Sequence, residues 1–302
     1  MDEILSKAHY RRAFYVVVLL LLALALVMRF WVLPVYEPAL KVSATAILAS
    51  LLDNLAVSVF VTVAIGSFVF WLRPEIMKRS VIEVIEPKQI NRLLKTAAET
   101  SSSWIYKGTC GRYTRATTLP KFAQAARAAG IGRDVTICIL NPRNSALCAA
   151  YATYRRSLKS GNGTRWTQQM VQQEAIATAV TALKFMYSEP LLRIRLFFVD
   201  SFSAFRLDIS DQYVIVTKED KEASALKADA GTYFYDSYKD VRLTERQGSE
   251  IKSPGLELNG PISEPLLRDV IKRVGLVDEA TLDGLDVEYI LQGVNSPTDP
   301  YN

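Results

Sequence analysis

Histidine is nearly missing from this 302-residue chain: His9 is the only one, and it precedes the first long apolar run. Everything from Arg73 onward therefore lacks an imidazole. That excludes serine–histidine triads, histidine-ligated zinc and histidine phosphoryl transfer from this part of the chain. Cysteine is scarce as well. Cys110, Cys138 and Cys148 are scattered, fit neither a metal-ligand spacing nor a disulfide framework, and suit a reducing compartment. The glycines match neither the P-loop nor the dinucleotide fingerprint, so nucleotide hydrolysis has no support and no cofactor is expected. Internal repeats and low-complexity tracts are absent.

What is present is apolar length. Residues 13–33 form one long apolar run, interrupted only by Arg29, and the stretch 42–72 carries Asp53 as its single charge. A helix needs about 20 apolar residues to cross a bilayer, and both stretches suffice. Pro34 and Pro38 lie between them and are expected to break the helix. The reading is a transmembrane helical hairpin over residues 13–72, with spans at about 13–33 and 52–72. Residues 43–52 would add a turn or two at the outer surface, with Asp53 at the interface. The charged start resembles a signal peptide, but the run is too long for one and residues 30–33 offer no small-residue cleavage pattern.

Lys7, Arg11 and Arg12 precede the hairpin, and Arg73, Lys78, Arg79, Lys88, Arg92 and Lys95 follow it. Positive residues mark the cytoplasmic side, so both termini are expected there. Asn54, Ser58, Thr62 and Gly66 recur every fourth residue and share one helix face. Small and polar residues at that spacing let membrane helices pack closely. The partner could be the first span of the same chain or a second copy in an oligomer that lines a water path.

Beyond the hairpin the expected order is a helical linker at 73–103, an α/β domain at 104–294 and a polar tail at 295–302. In the linker, Ile90, Leu93, Leu94, Ala97 and Ala98 share a face. The domain alternates strands and helices. Strands are predicted at 104–107, 135–140, 194–199, 205–207 and 213–217, and helices at 119–129, after Asn144 to Arg156, and at 167–187 with Thr167 as cap. Two more helices fall near 265–274 and 279–291. Such alternation indicates an α/β domain with a parallel or mixed sheet. Anion sites need cations and backbone N–H groups at turns and helix starts. Lys107, Arg112 and Arg115 around a glycine turn, Asn141 and Arg143 after a buried strand, and Arg206 beside Asp208 and Asp211 answer that description. They are the candidate ligand or nucleic-acid contacts, and no catalytic or metal-ligating residue is proposed.

Residues 104–217 resemble one half of a phospholipase D-like domain. The resemblance is carried by Tyr106-Lys107-Gly108, the helix after Leu119-Pro120, the strand before Asn141-Pro142-Arg143, and the stretch from Ala204 to Val216. Active members read His-x-Lys-x-x-x-x-Asp there. This chain keeps the spacing but has Ala204 for the histidine and Arg206 for the lysine, leaving only Asp211. The resemblance implies a degenerate, non-catalytic copy, because the family's covalent step needs an imidazole nucleophile. The hairpin plus α/β domain is also similar in plan to two-span effectors of bacterial antiphage systems, of the retron or cyclic-oligonucleotide kind. That resemblance implies an inner-membrane, multi-pass protein that is not an enzyme. Its cytoplasmic domain would sense a reverse transcriptase–nucleic acid complex or a cyclic nucleotide, and its helices would oligomerise in the lipid bilayer and permeabilise it. The alternatives are a membrane-anchored phosphodiesterase of the phospholipase D type and a membrane scaffold with no triggered state.

Overall fold

The fold is taken from a computed structural model that describes residues 8–36, 42–71, 81–158, 166–220, 222–239, 248–253 and 255–301. The chain divides into two compact units, residues 1–78 and 79–302.

In the first unit, helix α1 (Ala8–Val27) runs on through a π-helical turn (Met28–Val32) and a last helical turn (Leu33–Tyr36). Pro34 therefore does not break the helix, contrary to expectation. The N–H of Leu33 reaches back to Met28 O, a five-residue step, and this local loosening accommodates the ring and the missing donor. Helix α2 (Val42–Trp71) is continuous over 30 residues, about 45 Å at 1.5 Å per residue. Both helices are long and apolar enough to cross a membrane, over Phe14–Val35 and Ala46–Phe68. Most of their apolar side chains face outward, as at Leu20 and Phe60 (both 65% exposed), unlike those of a core helix in a soluble protein.

Against α1, α2 turns Leu52, Ala56 and Val59, and Tyr15 Oη lies 2.8 Å from Ser67 Oγ. Asn54, Ser58 and Thr62 are exposed, and of the expected polar stripe only Gly66 is half-buried. The stripe is thus not the surface that packs on the first apolar helix. Asp53 is paired rather than solitary: Arg29 Nε donates to both of its oxygens, at 3.1 and 3.3 Å. These are the only charges in the two candidate spans, and each offsets the other's cost of leaving water.

The second unit is built on one eight-stranded mixed sheet in the order β1-β7-β6-β5-β2-β3-β4-β8. The strands are β1 (Glu83–Ile85), β2 (Ser103–Lys107), β3 (Arg133–Leu140), β4 (Leu192–Val199), β5 (Phe205–Ser210), β6 (Tyr213–Lys218), β7 (Ala225–Asp229) and β8 (Ser249–Ile251). β2, β3 and β4 are parallel, and all other pairings are antiparallel. The helices are α3 (Pro87–Thr100), α4 (Leu119–Ala129), α5 (Ser145–Ser157), α6 (Gln168–Ser188), α7 (Tyr233–Lys239), α8 (Glu264–Val274), α9 (Glu279–Asp283) and α10 (Val287–Asn295). The α/β class and the mixed sheet agree with expectation.

β3 is buried along almost its whole length, as a near-continuous apolar run in a central parallel strand must be. Helix α6 begins where Thr167 Oγ1 accepts from Met170 N–H, and it is buried on every side from Val171 to Leu183. The main core joins one sheet face (Trp104, Tyr106, Ile137, Ile139, Phe198, Ile215) to the surrounding helices. The other face packs Ile209, Val214, Val216 and Ala228 under Tyr235 of α7.

Three boundaries move. Residues 72–80 of the expected linker lie outside the described residues, but 83–103 belong to the α/β unit. β1 pairs with β7, and α3 buries Ile90, Leu94, Ala97 and Ala98 in the main core. The expected helix at 279–291 is two, because Asp286 Oδ1 caps a new helix by accepting from Tyr289 N–H. The tail is not free. Asp299 pairs with Lys95 at 3.4 Å, and Tyr301 packs on the core.

A buried carboxylate anchors α6. Glu174 takes Arg115 at 2.5 Å, Arg112 at 3.3 Å and the Tyr289 hydroxyl at 2.6 Å. Breaking a buried ion pair by removing one partner costs roughly 3–5 kcal/mol, whereas an exposed pair contributes about 1 kcal/mol or less. In denaturant unfolding of the detergent-solubilised chain, Glu174→Ala is expected to cost that larger amount. Arg112→Ala, whose partner keeps Arg115, is expected to cost about 1 kcal/mol or less.

Candidate functional site

β2 runs parallel to β3, and β5 and β6 form the antiparallel hairpin beside it, so the end of β2, the start of β5 and the end of β6 meet at one end of the sheet's strands. Alternation puts Tyr106, Arg206, Asp208 and Thr217 on the core side there. A turn then carries the chain from Gly108 over these residues to a π-helical turn at Thr114–Thr118. Two glycines permit that path. A side chain at Gly108 would strike the Tyr106 hydroxyl, 2.3 Å from where its Cβ would stand. Gly111 has φ +69° and would meet Thr178 Cγ2 at 2.7 Å, so an L-residue there is both strained and crowded.

The result is a cavity of about 70 Å³ whose walls include Arg112, Arg155, Trp166, Arg206, Glu219 and Tyr301. Its cations lie on aromatic faces. Arg155 and Arg112 sit 4.8 and 6.0 Å from the Trp166 ring, and Arg206 sits 5.7 and 5.5 Å from Tyr113 and Tyr301. Such contacts hold a guanidinium without using its hydrogen-bond donors. Arg206 is buried and donates from Nε to Asp208 Oδ2 at 2.7 Å. Burial is the largest influence and works against its charge, but Asp208, Tyr301, Tyr106 and Glu219 together outweigh it and hold the pKa above the ordinary value. Glu219 accepts from Thr109 Oγ1 at 2.8 Å, which also lies 2.8 Å from the Tyr151 hydroxyl, and it pairs with Arg155 at 3.6 Å.

Several polar atoms here are buried with no hydrogen-bond partner among the described residues: Arg206 Nη2, Arg155 Nε, Asp208 Oδ1 and Thr217 Oγ1. Thr217 stands directly across from Arg206 in the sheet. Buried polar groups are nearly always paired, so a cluster of unpaired ones marks a place that a polar guest completes. The one thiol in the wall, Cys110, donates to Val171 O at 3.9 Å, and burial raises its pKa well above the usual thiol value. Cys148 lies in the adjacent cluster and is likewise pushed up to about 12 by burial. Both stay protonated and are poor nucleophiles at neutral pH.

Of the candidate cations, the cavity gathers Arg112 and Arg206. Arg115 is buried below it on Glu174 and donates to Glu174 O and Thr178 Oγ1. Lys107 points to the opposite sheet face and lines a separate small cavity with Cys138 and Phe202. Asn141 makes a turn instead of a ligand contact, with its amide donating to Asp200 Oδ1 at 3.0 Å and its carbonyl accepting from Arg143 N–H at 3.1 Å. Arg143 caps the end of α8 by donating to Val274 O and Gly275 O. Arg115, Asn141 and Arg143 make structural contacts in this fold. Sequence reasoning missed Arg155, Trp166, Glu219 and Tyr301. The pair Arg155-Arg156 in the last turn of α5 was the one available signal.

No protein-family model matches the chain, and no curated protein is similar to it. Among solved structures it is similar to Nuc, a phospholipase D family member from Salmonella typhimurium, at 15% identity and a TM-score of 0.33. The match covers 57% of this chain and 99% of that one.

Asp211 lies at the other end of β5 from Arg206, where Oδ2 accepts from Ser102 N–H at 2.8 Å and Ser102 Oγ at 2.5 Å. Its partial burial would raise the pKa, but these hydrogen bonds win and hold the carboxyl below its ordinary 3.8. A depressed carboxyl stabilises the fold above the unfolded-state value and loses that contribution as pH falls through the folded one. Asp211→Asn is therefore expected to be less stable than wild type at pH 6. Its stability should also fall less steeply between pH 5 and 3, as read from urea midpoints at each pH.

Proposed function

We propose that this protein is a non-hydrolytic sensor and membrane effector. The α/β unit binds an anionic ligand, and the two apolar helices span the bacterial inner membrane with both ends in the cytoplasm. The observation that carries the proposal is the cavity at the ends of strands β2, β5 and β6. It offers unpaired guanidinium donors from Arg155 and Arg206, aromatic walls, and a single thiol, Cys110, whose pKa burial raises. Such a site supplies fixed positive charge for a phosphate-bearing guest, which suits a nucleotide or the nucleic-acid part of a partner complex.

The membrane half of the proposal rests on the outward-facing apolar surfaces of α1 and α2 and on the basic residues that flank them. Asn54, Ser58 and Thr62 are exposed on α2. In lipid, that polar stripe is better satisfied against another copy than against acyl chains. Self-association through it would give an oligomer able to admit water. Antiphage defence by abortive infection is the role that this plan fits, with membrane damage as the outcome.

Overproduced in bacteria, the chain is expected to collapse the membrane potential, read with a voltage-sensitive dye, before viability falls. The triple variant Asn54→Leu, Ser58→Leu, Thr62→Leu is expected to insert normally and leave the potential intact. Growth arrest with normal polarisation would refute the effector role. Phosphodiester hydrolysis by the purified chain would refute the non-hydrolytic one.

A further inference from the structure

The cavity leaves about 70 Å³, and Tyr301 forms part of its wall. Its ring lies 5.5 Å from the Arg206 guanidinium carbon and meets Tyr113 edge-on at 5.3 Å between centroids. One phenol ring thus fills a slot built from a buried cation and an aromatic wall.

The Tyr301 side chain is held by Arg206, through its face and its hydroxyl, and by the Tyr113 ring, while its backbone belongs to no regular element. Tyr301 N–H donates to Asp299 Oδ1 at 2.8 Å, a contact within its own segment. The Asp299–Lys95 pair fixes that segment to α3 at 3.4 Å, with the lysine side chain 32% and the aspartate side chain 10% exposed. No regular element covers residues 296–301. Arg206, by contrast, is fixed from beneath by Asp208 and keeps Nη2 unpaired.

We propose that Tyr301 is an intramolecular plug, and that the cavity's guest is a phosphate ester bearing an aromatic base, whose base takes the place of the Tyr301 ring over Arg206. This rests on the proposal that the cavity binds an anionic ligand. The base replaces one stacking partner of Arg206 with another, and the phosphates reach the unpaired donors of Arg155 and Arg206. A guest without a ring fits beside Tyr301 and leaves the plug seated. Displacing the ring also loosens the Asp299–Lys95 pair on α3.

The test uses the full chain in detergent and two probes, ADP and inorganic phosphate, with affinities read by titration calorimetry. A seated plug weakens apparent affinity by the fraction of molecules that are open. Tyr301→Ala is expected to bind ADP about tenfold more tightly than wild type, the factor that one ring–guanidinium contact supplies, with phosphate affinity changed less than about twofold. Asp299→Asn keeps the ring but frees its segment, and is expected to tighten ADP binding by about two- to threefold. If both variants bind phosphate as wild type does but ADP no more tightly, Tyr301 is a fixed wall and the plug is refuted while the anion site stands. If neither probe binds wild type or either variant, the anion site fails, and the plug with it.

Discussion

The α/β unit depends on one buried carboxylate. Glu174 sits in the middle of α6, which is enclosed from Val171 to Leu183, and no apolar neighbour can satisfy its charge. Arg115 and Arg112, from the turn that follows β2, and Tyr289, from α10, converge on it. Pairing is obligatory for a carboxylate at that depth. It therefore fixes two separate parts of the chain, the turn after β2 and α10, against one helix. The turn so fixed is also the roof of the cavity. Arg112 pairs with the same carboxylate and lines the cavity.

The same logic separates the cations that build the fold from those left for a guest. Arg115 and Arg143 spend donors on carboxylate and carbonyl oxygens outside the cavity wall, although Arg115 Nε too is left without a partner among the described residues. Arg155 and Arg206 each combine one acidic partner, Glu219 and Asp208, with an aromatic face, and each keeps a nitrogen unpaired at the cavity. Aromatic support of this kind preserves binding capacity in a buried guanidinium. In the apolar helices, Arg29 and Asp53 do the reverse and cancel each other.

Local patterns made a good part of this legible in the sequence. The apolar run of β3, the amphipathic face of α3, the Thr167 cap and the two apolar helices all follow from residue order within one element. β1, β7, β8 and the short α7 were not legible. β1 and β8 hold three residues each and exist because a neighbouring strand offers hydrogen bonds, not because of their own periodicity. The roles of the arginines were hidden for a related reason. Arg115 finds Glu174 59 residues away, and Arg206 meets Tyr301 only in the folded unit, so sequence position could mark both as cationic without saying which is spent. Pro34 misled because the rule against proline in helices assumes regular α geometry, and the π-helical turn before it departs from that.

The central claim is that the cavity holds a phosphate ester without cleaving it. Phosphorus NMR of ADP with the full chain in detergent tests this most directly, because one spectrum reports both binding and chemistry. The account predicts broadened or shifted resonances for both phosphates, lost again in Arg206→Ala, with no new signal over hours. Unperturbed ADP resonances, or the growth of an orthophosphate or AMP signal that Arg206→Ala abolishes, would contradict it.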